Sequence, residues 1–387
     1  MASLRIAIIG AGPAGLTLAR LLQVKKIPYT IYDLDANAHS RDQGGTVDLH
    51  RRGGQMVLEA AGLLEEFKRL ARPEGEATKL VKYDGTVVID ENVQKVERPE
   101  EYKDRPEIDR LRLRELLLGS LGEGNIVWGK KLLAVEDSKA GDGKFDLHFA
   151  DTVEEAFDIV VGADGAWSKV RPFLTDEQPF YSGITAIELW AMDVDAQHQW
   201  LSDYVGQGSM YMFDEGRAII SQRNGNNSIR TYAAVRRPET WLKDCGIDWS
   251  EPDAKTRLIE DYFANCGEDL KRVIVDSKDN LIPRTMYMLP VDMTWEPKAG
   301  VTLIGDAAHL MTPFAGVGVN IAMVDALDLS RAIEFCVDDR KAIGAAMSAF
   351  EKDMFRRSQM FANKTWKNMQ SHFSATGIDE RAALAHR

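Results

Sequence analysis

The residues with the clearest chemical purpose form a short turn near the start, Gly10-Ala11-Gly12-Pro13-Ala14-Gly15. Gly10 permits a tight turn, Gly12 lets the backbone come close to a pyrophosphate, and Gly15 lets the following helix pack against the preceding strand. Pro13 and Ala14 open that helix, whose free amides and dipole favour negative charge. Asp33 follows at the end of the apolar run "YTIYDLD". It lies roughly 20 residues after the glycines, where an acid accepts from a ribose hydroxyl. Binding of a dinucleotide is the chemistry that these types and spacings point to.

Two later stretches extend the same pattern. "FDIVVGADGAWSKVR", residues 157–171, is an apolar strand ending in glycine, followed by Asp164 and Gly165, with Ser168 and Arg171 on the next turn. Arg171 is available as a phosphate or structural partner. "GVTLIGDAAHLMTPFAGVGVN", residues 300–320, repeats the arrangement, with Asp306 at the strand's carboxyl end and a helix beginning near Gly316 and Gly318. Ligands of doubly wound sheets lie outside such carboxyl ends. After Asp33 the chain does not continue through another strand and helix. It enters a polar, glycine-rich loop around a short strand, Thr46 to Leu49, that could reach a second part of a long cofactor. No second GxGxxG occurs, so a reducing nicotinamide would bind transiently in a surface groove.

The elements that must position these turns are buried strands. Leu4 to Ile9 is a continuous apolar run ending in glycine, as in a parallel sheet covered on both faces. With 387 residues, 44% of them hydrophobic, the chain is long for one compact unit and predicts two packed domains. Its formal net charge of -12, without a basic block, excludes nucleic acid as a partner. Cys245, Cys266 and Cys336 form no CxxC pair, which argues against a disulfide framework or thiolate metal site and fits a cytoplasmic setting. No apolar run approaches the length of about 20 residues that spans a bilayer, and no stable membrane association is expected. The expected state is a monomer or weak homo-oligomer.

Taken in order, GAGPAG, the DG segment and the GD segment resemble the single-component (class A) flavoprotein monooxygenases of the para-hydroxybenzoate hydroxylase type. "IDRLRLRELL" is similar to that family's helix motif at Ile108, Arg110, Leu113 and Leu117. "GGTVDLH", "AGLL", "PEIDR", "SKVR" and "GDAAHLMTPFAGVGVN" look most like the tetracycline-inactivating members. The resemblance implies an α/β fold: a Rossmann-like, GR2-type FAD-binding domain, an inserted mixed β-sheet substrate domain and a long C-terminal helix. It implies FAD as cofactor and NADPH or NADH as reductant. It also implies hydroxylation of an aromatic or polyketide-like molecule with O2 through a flavin hydroperoxide, with tetracyclines among the candidates. Arg41 would meet NADPH, while Asp48, Arg110 and Asp306 would contact FAD, with Asp306 on a ribityl hydroxyl. The amides from Gly316 through Gly318 and Val319 to Asn320 would face the flavin pyrimidine ring and stabilise the negative charge it gains on reduction. One extended cofactor would thus explain both glycine-rich turns. Val317 stands where the family usually shows a polar residue.

The expected division is 1–175 plus 286–340 for FAD, 176–285 for substrate, and 341–387 as one bridging helix. "ITAIELWAMDV", "GSMYMF", "GRAIISQ" and "SIRTYAAVRR" alternate like strands and are separated by turn residues. Laid over the flavin, such a sheet could line a cavity with Glu188, Trp190, Met210, Met212 and Arg230, with Phe314 below. Glu188 and Arg230 stand where the tetracycline-inactivating enzymes carry a glutamine and a histidine. His50 and His309 are read as structural hydrogen-bonding residues rather than bases. A flavoprotein reductase without oxygen transfer and a non-catalytic FAD-binding protein are the alternatives. The WxWxIP motif of the family's halogenases is absent.

Overall fold

The structure is a computed structural model, describing residues 4–40, 44–98, 100, 103–139 and 143–385, the side chains of 384 and 385 excepted. At its centre is a five-stranded parallel sheet in the order Val301–Leu303, Ile159–Gly162, Ile6–Ile9, Thr30–Tyr32, Ile126–Val127. Its central strands carry Ile6, Ala7, Ile8, Ile9, Val160 and Val161, all almost wholly buried. A strand hidden on both faces has no polar face to alternate with, which is why these segments read as continuous apolar runs. The helices Pro13–Val24 and Gly318–Cys336 pack against each other on this sheet and share one core with it. The expected GR2-type α/β architecture, with a second sheet and a long C-terminal helix, is present.

The second sheet has seven strands in the order Asn280–Met288, Phe180–Ala191, Ile229–Arg236, Arg217–Arg223, Ser209–Asp214, Thr78–Val81, Val87–Asp90. It is antiparallel except where Ser209–Asp214 runs parallel to Thr78–Val81. Residues 78–90, which the sequence reading grouped with the cofactor-binding part, therefore join the substrate-side sheet. The register fixes which side chains share a face. Glu188 lies opposite Tyr232, Trp190 opposite Arg230, Ile220 opposite Tyr232 and Tyr211 opposite Ile220, so these six lie on one face. Ile187, Leu189, Met210, Met212, Ile219, Ala233 and Val235 lie on the other face, in a core with Leu201, Leu258, Phe263 and Ile274 from the helices behind.

Between the two sheets is a two-stranded ribbon, Thr46–Asp48 against Glu107–Asp109. Val47 and Ile108 point into the core of the parallel sheet, and by the period of two Thr46, Asp48, Glu107 and Asp109 take the opposite face. A separate three-stranded sheet covers residues 132–157.

The C-terminal region corrects the expectation of one helix. Ile343–His372 is a 30-residue helix, but the chain then turns through "FSAT" into a second helix, Gly377–Ala385. Serine and threonine favour such a break because their side chains compete for backbone groups. At the corner a Cβ on Gly377 would stand 2.4 Å from the carbonyl oxygen of Ser371, so the close approach itself requires glycine. No helix among the described residues is long and apolar enough to cross a membrane.

Candidate cofactor and substrate site

The N-terminal turn is built as its spacing predicts. A Cβ on Gly10 would lie 2.3 Å from Ala163 O, and one on Gly15 would lie 2.1 Å from Gly10 O. Both glycines are therefore fixed by contacts inside the protein. Gly12 differs, because a Cβ there would meet nothing within 4 Å. The helix beginning at Pro13 has Gly12 as its N-cap and no side-chain cap, so its first amides are left for a ligand. The Asp33 carboxylate, 4% exposed, accepts from the amides of Ala11 at 2.5 Å and Asp35 at 2.7 Å. It holds the turn in shape while keeping further lone pairs beside the loop.

Arg114 is a contributor that the sequence reading missed. Only 2% exposed, it donates from Nε to Ala11 O at 3.3 Å and from Nη1 to Ala38 O, tying the glycine turn to the loop after Asp33. Its signal was a third arginine in "RLRLR", one helical turn beyond Arg110. Arg41 lies outside the described residues.

The GD segment forms the opposite end. Asp306 begins a short helix after the strand Val301–Leu303 and opens to the cleft. Desolvation by the surrounding protein pushes its carboxyl above the ordinary value, against the pull of His309 and Arg110. Arg110, exposed at the start of its own helix, thus acts electrostatically on Asp306 and also on Tyr232. The helix Gly318–Cys336 has no side-chain cap, and its first bonded amide is that of Ile321, to Val317 O. The amides of Gly318, Val319 and Asn320 therefore have no intrahelical acceptor.

The Asn320 side chain has a separate task. Its Oδ1 accepts from His50 N at 2.8 Å and Gly54 N at 2.9 Å, and its Nδ2 donates to Asp48 O at 2.9 Å. This ties the ribbon to the helix and places Asp48 beside Gly316. The Asp48 carboxylate also meets His50 Nε2 at 2.9 Å.

Asp164 accepts from Lys169 N at 2.6 Å through Oδ2, while Oδ1 is buried without a partner. Burial raises its carboxyl above the ordinary value despite the hydrogen bonds it accepts. Arg171, 1% exposed, donates to Ala307 O at 3.1 Å and Ala166 O at 2.8 Å. It therefore joins the DG and GD segments structurally. Beneath them His309 Nε2 meets Asp325 Oδ2 at 2.5 Å, and Asp325 Oδ1 accepts from Arg357 at 2.9 Å. Burial opposes protonation of His309, but the Asp325 charge and hydrogen bond outweigh it and hold the imidazole above its ordinary value. His309 is thus a structural hydrogen-bonding residue, linking the GD turn through Asp325 to the long C-terminal helix.

The sheet face above the cleft carries most of the expected substrate residues, but not all of them free. Glu188, 3% exposed, accepts from Trp190 Nε1 at 2.8 Å, Arg230 Nη1 at 2.8 Å and Arg284 Nε at 2.7 Å. Arg230 also stacks over Trp190, 4.0 Å from its ring centroid. Met210 and Met212 are a correction: both are fully buried in the core behind the sheet, because strand parity turns them away from the cleft. Phe314, 8% exposed, packs on Phe373 and His372 and supports the wall from within the core.

Sequence reading missed the part-buried stretch of this face, Tyr211, Ile220, Tyr232 and Met286. Alternation marked the strands, but only the register shows which parity faces the cleft. It missed Glu107 as well, whose carboxyl burial and the Asp48 charge push up to about 8 while Thr46 Oγ1 donates to it at 2.6 Å.

An adenine dinucleotide of the FAD type fits these residues. Two uncapped helix N-termini stand outside the carboxyl ends of one parallel sheet, with open space at Gly12 and an orphaned oxygen on Asp164. Comparison with known proteins agrees. The FAD-binding domain family matches residues 3–342. The monooxygenase penA of Penicillium thymicola is 30% identical, with 97% of each chain covered. Klebsiella pneumoniae HpxO complexed with FAD and uric acid shares the fold at a TM-score of 0.77 and 18% identity, covering 99% of this chain and 93% of its own. Tetracycline destructase Tet(51) shares it at 0.69 and 18% identity, covering 100% and 96%. The chain belongs to the FAD-binding domain family, among its flavin-dependent monooxygenases.

Proposed function

We propose that this protein hydroxylates an aromatic or polyketide-like small molecule, with NADPH or NADH as reductant and O2 as the oxygen source. The observation that carries the reading is that the cofactor turns and the seven-stranded sheet face meet, since Arg110 acts electrostatically on both Asp306 and Tyr232 and Gly45 lies beside Arg230. The floor is the two glycine turns of one parallel sheet, and the roof is a sheet face still partly exposed at Tyr211, Ile220, Tyr232 and Met286. FAD, when bound, accepts electrons from the nicotinamide and activates dioxygen.

The chain's own residues do the rest. Gly10, Gly12, Pro13, Ala14 and Gly15 would hold the pyrophosphate at the first helix, with Asp33 at a ribose hydroxyl. Asp306, Asp48 and Arg110 would fix the other end, and the amides of Gly316 to Asn320 would stabilise negative charge on the reduced ring. Asp164 would complete the cradle. The roof would hold the substrate ring and exclude water, and the Glu188–Arg230–Trp190 cluster would close one end. HpxO, with uric acid bound, supports a planar heteroaromatic or aromatic substrate in this fold. Tet(51) keeps tetracyclines among the compounds to test.

The test is NADPH and NADH oxidation by the FAD-loaded protein against tetracyclines, phenols and fused-ring polyketides, with mass analysis of products. A compound that accelerates oxidation and gains one oxygen is the expected result. Reduction of the flavin by substrate without oxygen transfer would replace this reading with a dehydrogenase.

A further inference from the structure

Among the cations on the cleft face of the seven-stranded sheet, one stands apart. Arg230 and Arg284 are bound by Glu188, Arg98 by Glu91, and Arg236 donates to Met369 O. Arg381, from the last helix, reaches back over this face with its guanidinium 4.2 Å from the Tyr211 ring centroid and 5.4 Å from that of Phe213. Among the described residues no carboxylate lies within ion-pair distance of it. Its polar neighbours are the Tyr211 phenol and His372 Nε2, the latter 3.5 Å from Nη1.

His372 brings no compensating negative charge, since burial and Arg381 hold its ring neutral down to about 3. The preceding acids on the same helix are engaged elsewhere, Asp379 with Lys82 at 2.9 Å and Glu380 with Thr376 at 2.8 Å. Across Tyr211, the Glu107 carboxyl stays protonated at neutral pH, and the Asp48 carboxylate is engaged in a hydrogen bond with His50. Arg98 adds a second positive field.

A partly buried guanidinium lacking an anion is costly, and it is satisfied by an ionised oxygen that arrives with a ligand. The aromatic side chains around it are those of the substrate roof. Building on the monooxygenase reading above, we propose that Arg381 is the anion-binding residue of the substrate cleft. Its ligand is a planar aromatic molecule bearing an ionised oxygen substituent, whose ring lies along Tyr211, Ile220 and Tyr232. The break between the two C-terminal helices then has a purpose: the turn at Gly377 brings this arginine back over the sheet.

The test uses the FAD-loaded full chain, titrated calorimetrically with 2-naphthoate and with its neutral counterpart 2-naphthamide. Wild type is expected to bind the carboxylate at least tenfold more tightly than the amide. Arg381→Met is expected to abolish that preference, and Arg381→Lys to retain part of it. A merely structural arginine would weaken both ligands alike. Should Arg381→Met fail to fold, the wild-type charged-to-neutral ratio and the Arg381→Lys ratio decide the question. Equal binding of the two probes, absence of saturable naphthoate binding, or a preference that survives Arg381→Met overturns the proposal. A protein that binds FAD and hydroxylates neutral rings without this preference fails the inference alone, whereas one that does not take FAD fails the underlying reading.

Discussion

Gly12 and Gly15 lie three residues apart and are needed for different reasons, which a pair of alanine substitutions separates. At Gly15 the added Cβ would stand 2.1 Å from Gly10 O, against an ordinary contact of about 3.5 Å. The neighbour is backbone and cannot rotate away, so the first turn of the helix must move from the strand. Alanine is favoured over glycine within a helix by about 1 kcal/mol, and overpacking of this kind costs about 1–3 kcal/mol. The overlap here exceeds an ångström, which places the cost at the upper end. Gly15→Ala should therefore lower the melting temperature of the cofactor-free protein by a few degrees. At Gly12 the Cβ meets no protein atom within 4 Å, so the cofactor-free protein should melt as wild type does. The methyl group instead occupies the approach of the pyrophosphate. FAD should bind Gly12→Ala at least tenfold more weakly, a loss of about 1.4 kcal/mol or more. Thermal melts of both apoproteins and FAD titrations followed by flavin fluorescence measure the two effects. Wild-type FAD affinity in a folded Gly12→Ala protein would refute the placement of the pyrophosphate, and an unchanged Gly15→Ala melt would refute the close packing.

Three further outcomes follow from the electrostatics. Glu188→Gln removes the buried carboxylate that holds Arg230 and Arg284 and should cost about 3 kcal/mol in denaturant unfolding; an unchanged midpoint would show that the cluster is not structural. Glu107, raised from 4.5 to about 8, makes the folded protein lose stability as pH rises from about 4.5 to about 8, because the unfolded chain releases this proton first. Glu107→Gln should therefore raise the melting temperature more at pH 8 than at pH 4.5, and an equal change at both values would contradict the burial argument. His309 is raised and Asp325 lowered, so their pairing stabilises fully between the unfolded values of 3.8 and 6.5. That contribution fades as pH falls through the lowered Asp325 value and as it rises through the raised His309 value. Melting His309→Gln across pH 6–9 should show a shallower alkaline decline than wild type, and an identical slope would count against the ion pair.

Much of the cofactor half was legible because its constraints are local. A glycine turn between an apolar strand and a helix, and an acid after the second strand, are fixed by nearest-neighbour geometry. The same holds for Asp306, whose strand and helix flank it directly. The substrate half depends on pairings between distant segments. Alternation showed that "GSMYMF" is a strand, but the inward parity of Met210 and Met212 came only from pairing with Arg217–Arg223 and from the helices behind. Residues 78–90 carried a strong hairpin signal, Asp84-Gly85 between two apolar runs, which the division at residue 175 obscured. Glu107 and Arg381 were invisible for a different reason. An isolated charged residue is ordinary on a surface, and only the ribbon and the returning C-terminal helix reveal that these two are partly buried beside other charged and aromatic groups.

Isotopic labelling is the most direct test of the account as a whole. The FAD-loaded protein would be supplied with NADPH, an accepted aromatic substrate and dioxygen of the heavy isotope, and the product's mass measured. The account predicts that one oxygen atom of the product comes from dioxygen, in step with NADPH oxidised. Product oxygen derived from water, or a product formed equally well without dioxygen, would contradict it.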